Sequence, residues 1–196
     1  MIARLQAGAP ELARSSDVGV AMAQLDLAPQ DDAAVAAARV QITDLVAGRD
    51  DAADRTTRPG HLTGSAFVVD ASGERFVLLF HAKLQRWLQP GGHADGDMNL
   101  AAVALREATE ETGIVGLEVD PAPLDVDVHE VRPPKEDAHL HLDVRYLVVA
   151  PHGAELAGNH ESTELRWVGW TELSDYDVDA GLVRLAAAAR RRLDRG

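Results

Sequence analysis

The sequence predicts an α/β fold with a mixed sheet, preceded by a helical extension. Three observations carry that expectation. Helix-like and strand-like runs alternate through the chain. Pairs of strand-like runs flank turn or proline-containing segments, which implies antiparallel hairpins within the sheet. Residues before 60 are alanine-rich and contain one run at helical spacing. A chain of 196 residues with 46% hydrophobic content is long enough for one substantial core, with a small appended unit. The expected division is an extension over residues 1–60 and a main domain over residues 61–196.

Taken in order, residues 1–30 show weak periodicity and leave a short helix and a flexible arm both open. Asp31 or Asp32 is a suitable N-cap for a helix reaching about residue 47, because Val35, Ala38, Ile42, Leu45 and Val46 recur near helical spacing and Gly48 stops it. Residues 49–59 are charged and polar and read as a connection. Residues 62–70 and 75–81 are strand-like around the turn signal Ala71-Ser72-Gly73. Residues 124–131 and 139–150 form a second pair around Arg132-Pro133-Pro134-Lys135-Glu136-Asp137, an exposed loop of the kind that borders sites. A last strand over residues 164–170 leads to a helix over about residues 178–192, whose late arginines suit the negative end of the helix dipole.

The segment between the two strand pairs carries the chemistry. Gly91-Gly92-His93-Ala94-Asp95-Gly96-Asp97 is a glycine loop, and Arg106-Glu107-Ala108-Thr109-Glu110-Glu111-Thr112-Gly113-Ile114 follows it on a helix. At about 100° per residue, Glu107, Glu110 and Glu111 share one arc, while Ala101, Ala104, Leu105 and Ala108 occupy the neighbouring one. Like charges at these spacings repel, so they need open solvent or a cation. Hard oxygen ligands select magnesium, manganese or calcium over zinc. The alanine face allows a close approach to a sheet, and Gly113 is placed to end the helix.

These residues resemble the Nudix box, G-x5-E-x7-R-E-U-x-E-E-x-G-U, with U a bulky apolar residue. Gly92, Arg106, Glu107, Glu110, Glu111, Gly113 and Ile114 fall in register from Gly92 to Ile114; Ala108 is smaller than usual, and Met98 replaces the first glutamate. In the family that glutamate supports the loop and helix, commonly through the box arginine. Its absence leaves Arg106 to pair with Glu110, Asp97 or Asp95. The resemblance implies a Nudix-type α/β/α sandwich from about residue 61 to the C-terminus and a divalent-metal-dependent hydrolase of a diphosphate linkage in a nucleoside diphosphate derivative. By position in the motif it implies Glu107, Glu110, Glu111 and the Gly91 carbonyl as ligands of Mg2+ or Mn2+. Arg106, Glu107 and Glu110 join the catalytic group, one glutamate acting as base rather than ligand. Relatives often add an acid from a loop outside the box, and Glu161 is the best match, with Glu164 next. The alternative from a different class is a Nudix-fold sensor that binds such a ligand with weak or no turnover, for which Met98 is the support.

Two further groups are candidates for substrate binding. Trp87 stands just before Pro90-Gly91-Gly92, where core packing and base stacking are the alternatives. Along residues 139–146 strict alternation puts His139, His141, Asp143 and Arg145 on one strand face and Leu140, Leu142, Val144 and Tyr146 on the other. The apolar face is expected inward. The polar face then holds a second metal, grips substrate phosphates, or is an ordinary solvated surface. His93 in the glycine loop is within the reach expected for a phosphate contact, whereas His61, His81, His129, His152 and His160 carry no separable signal.

Composition narrows the classes. A formal net charge of −13 argues against a nucleic-acid-binding groove and against attraction to an anionic membrane. It also means that a phosphorylated small-molecule substrate needs cations between itself and the protein. With no cysteine there is no disulfide, thiolate metal site or cysteine nucleophile, which excludes the chemistry of the Nudix-like isopentenyl-diphosphate isomerases. No segment approaches the roughly 18 apolar residues of a membrane span, so a cytoplasmic location is expected. A homodimer is compatible with this reading.

Overall fold

The computed structural model describes residues 3–82, 84–133, 136–158 and 162–195. Its strands are β1 (Leu5–Gln6), β2 (Gly60–Val69), β3 (Arg75–His81), β4 (Arg86–Leu88), β5 (Gly91–His93), β6 (Glu118–Val119), β7 (Asp125–Val131), β8 (His139–Val149) and β9 (Ser162–Gly169). Its helices are α1 (Val18–Asp26), α2 (Ala33–Val46), α3 (Leu100–Thr112) and α4 (Ala180–Asp194). The undecided residues 1–30 hold β1, a 3-10 turn and α1, which Asp17 caps through the Gly19 amide. Asp32, rather than Asp31, caps α2 by accepting from Ala34 and Val35. The short strands β4, β5 and β6 were not expected, because two or three residues carry no readable periodicity.

All these strands belong to one sheet along the path β1-β6-β8-β2-β3-β4, with β5 paired to β2, β7 to β8 and β9 to β3. The central pair β2–β8 is parallel over ten register positions, Gly60 with Leu140 through Val69 with Val149, and its neighbours are antiparallel, so the sheet is mixed. Alternation along β2 divides the core. Leu62, Ala66 and Val68 join a cluster with Leu25, Ile42 and Val46 of α1 and α2 and with Leu100, Val103 and Ala104 of α3. Phe67 and Val69 join Leu147 and Val149 beneath Leu182, Leu185 and Ala189 of α4. Helices therefore cover both faces, giving the α/β/α arrangement.

Gly64 sets the depth at which α3 sits. A Cβ there would fall 2.9 Å from Val103 Cγ1, 3.0 Å from the Leu100 carbonyl oxygen and 3.1 Å from the Ala104 nitrogen. Only a residue without a side chain lets the helix backbone come so near the strand. Asn99 caps α3 by accepting from Ala102, and Gly113 closes it at φ 70°. Gly64→Val should push α3 outward and lower stability by about 1–3 kcal/mol, measured as a shift in urea midpoint.

Candidate metal and hydrolase site

The glycine strand β5 lies between β2 and α3, and its fit depends on missing side chains. It pairs with β2 through Ser65–Gly91, Gly64–Gly92 and Thr63–His93. A Cβ on Gly92 would lie 2.4 Å from Glu107 Oε2, and one on Gly91 would lie 2.3 Å from Ser65 Oγ. The backbone is thus pressed against a box carboxylate on one side and the sheet on the other. The buried Glu111 accepts from the Gly91 amide at 2.8 Å.

Arg106 donates to Glu107, and also to the His93 carbonyl oxygen at 3.0 Å. Its nearest approach to Glu110 is 3.9 Å. The expected pairings with Asp95 or Asp97 do not form. Asp97 accepts from the Ser15 and Asn99 amides, and Asp95 faces Arg55 at 4.0 Å. Burial raises the Glu107 carboxyl above its usual range; Arg106 opposes this and Glu110 adds to it. A buried acid that repels its neighbour gains from a bound cation. The donors, three carboxylates and a carbonyl on one helix and strand, are the hard oxygen set that Mg2+ or Mn2+ takes.

Met98 is 1% exposed and packs in the core shared by the extension and α3. What holds the loop here is the extension. Met98 donates its amide to Ser15, Arg14 reaches the Asp95 carbonyl oxygen, and the Asn99 side-chain amide bonds the Glu11 and Ala13 carbonyls. Gln24 of α1 accepts from the Leu100 amide and donates to Asn99. No sequence pattern pointed to these contacts, which span 75 to 88 residues.

The polar face of β8 is not a solvated surface. Asp143 and Arg145 are 2% and 4% exposed, and register places them against Asp127 and Asp125 of β7 and Thr63 and Ser65 of β2. Asp143 accepts from Thr63, Ser65 and Arg145; Arg145 also bonds Asp127, and Arg184 of α4 forks onto Asp125 and Asp127. Arg145, expected as a substrate contact, is engaged within a buried ion network. Burial alone would raise Asp143, but the Arg145 and His129 charges and the hydrogen bonds from Arg145 and Ser65 together outweigh it and hold it low.

Beyond the charges lies a band of histidines. The rings of His139 and His141 stand 5.0 and 5.1 Å from His61, and His93 and His129 stand 5.2 and 5.5 Å from His141. His61 and His129 were missed because each lies alone in its own strand and only the pairings His61–His141 and His129–His141 bring them together. Trp87 packs edge-on to Phe80 and Tyr176, with the Arg166 guanidinium 5.2 Å over its ring. Glu161 falls outside the described residues.

Burial, reinforced by neighbouring imidazoles, brings His61 down to about 4 and His141 to about 3. Burial would also lower His129, but its bond to Asp127 and the Asp143 charge raise it. A histidine lowered on folding resists protonation, so its contribution is complete above its unfolded value and fades as the pH drops. In the presence of chelator, the stability difference between the wild type and His141→Gln should be largest above about pH 6.5 and shrink towards about pH 4. Urea denaturation of both across that range measures it.

A family profile described as NUDIX domain matches residues 60–189. The chain belongs to the NUDIX domain family, and the class that this membership defines is that of Nudix pyrophosphohydrolases. Among solved structures, a Caenorhabditis elegans Ap4A hydrolase binary complex is similar at TM-score 0.57 and 16% identity, over 69% of this chain and 98% of that one. The NUDIX domain of Shewanella oneidensis NrtR complexed with ADP ribose is similar at TM-score 0.55 and 19% identity, over 77% and 97%. A NUDIX family hydrolase from Clostridium perfringens is similar at TM-score 0.53 and 22% identity, over 67% and 97%. None of the curated proteins matches the chain. Among the described residues no helix is long and apolar enough to cross a membrane.

Proposed function

We propose that the chain hydrolyses a diphosphate linkage in a nucleoside diphosphate derivative, using Mg2+ or Mn2+ held by Glu107, Glu110, Glu111 and the Gly91 carbonyl. The observation that carries this reading is the seating of β5 against α3, where Gly92 abuts Glu107 and Gly91 bonds Glu111. A cation held by these residues would lower the pKa of water and neutralise charge building on the phosphoryl oxygens. Glu111 fixes the Gly91 peptide, so the carbonyl and the carboxylates keep one relative position. Arg106 holds Glu107 in place and ties the helix to β5 through the His93 carbonyl. Glu107 or Glu110 serves as the base for the attacking water, with Glu161 as a further acid from its loop. The net charge of −13 makes the intervening cation necessary for an anionic substrate. His93 of the glycine strand and the neighbouring His141, their rings 5.2 Å apart, remain candidate substrate contacts.

A second reading is a binding module with weak turnover, favoured by the apolar Met98 and by the ADP ribose complex of the similar NrtR domain. A panel of dinucleoside polyphosphates, nucleotide sugars, ADP-ribose and nucleoside triphosphates with Mg2+ or Mn2+ separates the two. Hydrolysis supports the first; tight binding without product supports the second. For the hydrolase, Glu111→Gln should lower kcat by about 100-fold or more while the fold persists, since glutamine still accepts from Gly91. Chelation should abolish turnover and added Mg2+ restore it; equal rates in wild type and variant would place the ion elsewhere.

A further inference from the structure

We propose that His61, His139 and His141 form a binding site for a transition-metal dication of the zinc class, separate from the glutamate site. It goes beyond the hydrolase reading and does not rest on it. One potential ligand atom from each of the three side chains lies within 4.8 Å of the others. Modest ring rotation closes that spacing to the separation of about 3.3 Å that tetrahedral zinc with N–metal bonds of about 2.0–2.1 Å requires.

Two independent features favour an ion over a plain cluster of rings. His61 is fully buried, and neither of its ring nitrogens makes a hydrogen bond. Buried polar atoms normally find partners, and an orphaned imidazole aimed at two others is the expected appearance of a ligand. His139 is already oriented. Its Nδ1 lies 2.8 Å from the Asp137 carbonyl oxygen, which can only accept, so Nδ1 carries the proton and Nε2 presents a lone pair. A backbone carbonyl fixing the far nitrogen is the usual support for a metal-ligating histidine.

His93 belongs to the wall rather than to the ligand set, because Arg55 donates to its Nδ1 and leaves the proton on Nε2. His129 donates from its Nδ1 to the Asp127 carboxylate and is not among the residues whose ligand atoms converge. Three imidazoles select zinc, nickel, cobalt or copper and have little affinity for magnesium. The two sites are therefore chemically distinct, although His93 follows Gly91 and Gly92 directly on β5.

The test uses the full chain, stripped with chelator and titrated with Co2+ alone. One equivalent should bind with the intense visible absorption of a low-coordinate nitrogen-ligated ion, survive excess Mg2+ and be displaced by Zn2+. His139→Gln and His141→Gln should each weaken binding by about tenfold or more, with circular dichroism confirming the fold. His141 is only partly buried, so its substitution is the milder of the two. The double variant Glu107→Gln, Glu111→Gln should keep the absorption band. A wild-type chain that takes up no stoichiometric Co2+ overturns the proposal, as does a band lost in the glutamate variant and kept in both histidine variants.

Discussion

The whole arrangement depends on how closely α3 can lie against β2 and β5. Three glycines decide that distance. Gly64 admits the helix backbone to the strand, while Gly91 and Gly92 admit β5 between Ser65 and Glu107. With any side chain at these positions the carboxylates would stand away from the peptide groups that complete the site. The apolar face of α3, buried through Leu100, Val103, Ala104 and Ala108, supplies the attraction that holds the contact. The price is a set of neighbouring acids, with Glu111 buried, Glu107 half-buried and Glu110 exposed, whose repulsion a divalent cation would relieve.

The loop that positions those acids is held from outside the box. Where Nudix relatives use a glutamate at the position of Met98, this chain places an apolar side chain in the core and secures the backbone through residues 11–24. Asp97, Met98, Asn99 and Leu100 each bond to that segment. The support is provided by backbone and amide hydrogen bonds rather than by an ion pair, and it consists of short-range contacts less exposed to screening by salt.

On the opposite face the sheet is graded along its length. Beneath α4 it is apolar through Phe67, Val69, Leu147 and Val149. The next rows carry Asp125, Asp127, Asp143, Arg145 and Arg184, and the last carry the histidines. Buried charges of this kind need nearly complete pairing, and the network supplies it with three acids, two arginines and the hydroxyls of Thr63 and Ser65. The polar alternation seen along β8 therefore serves two purposes, a buried ion network at one end and a cluster of imidazoles at the other.

Much of this was legible from residue order alone. Hydrophobic periodicity located α2, α3, α4 and the five longer strands, and spacing grouped Glu107, Glu110 and Glu111, because both depend only on local geometry with a fixed period. Local pattern also put His139, His141, Asp143 and Arg145 on one strand face. It did not show that this face is covered, that Arg145 is engaged by aspartates of β7, or that His61 and His129 complete a cluster. Nor did it show that residues 11–24 grip the box loop. Each of those depends on the register between strands and on which helix lies over which face. Such pairings are long-range choices made by packing of the whole chain, and no local period encodes them.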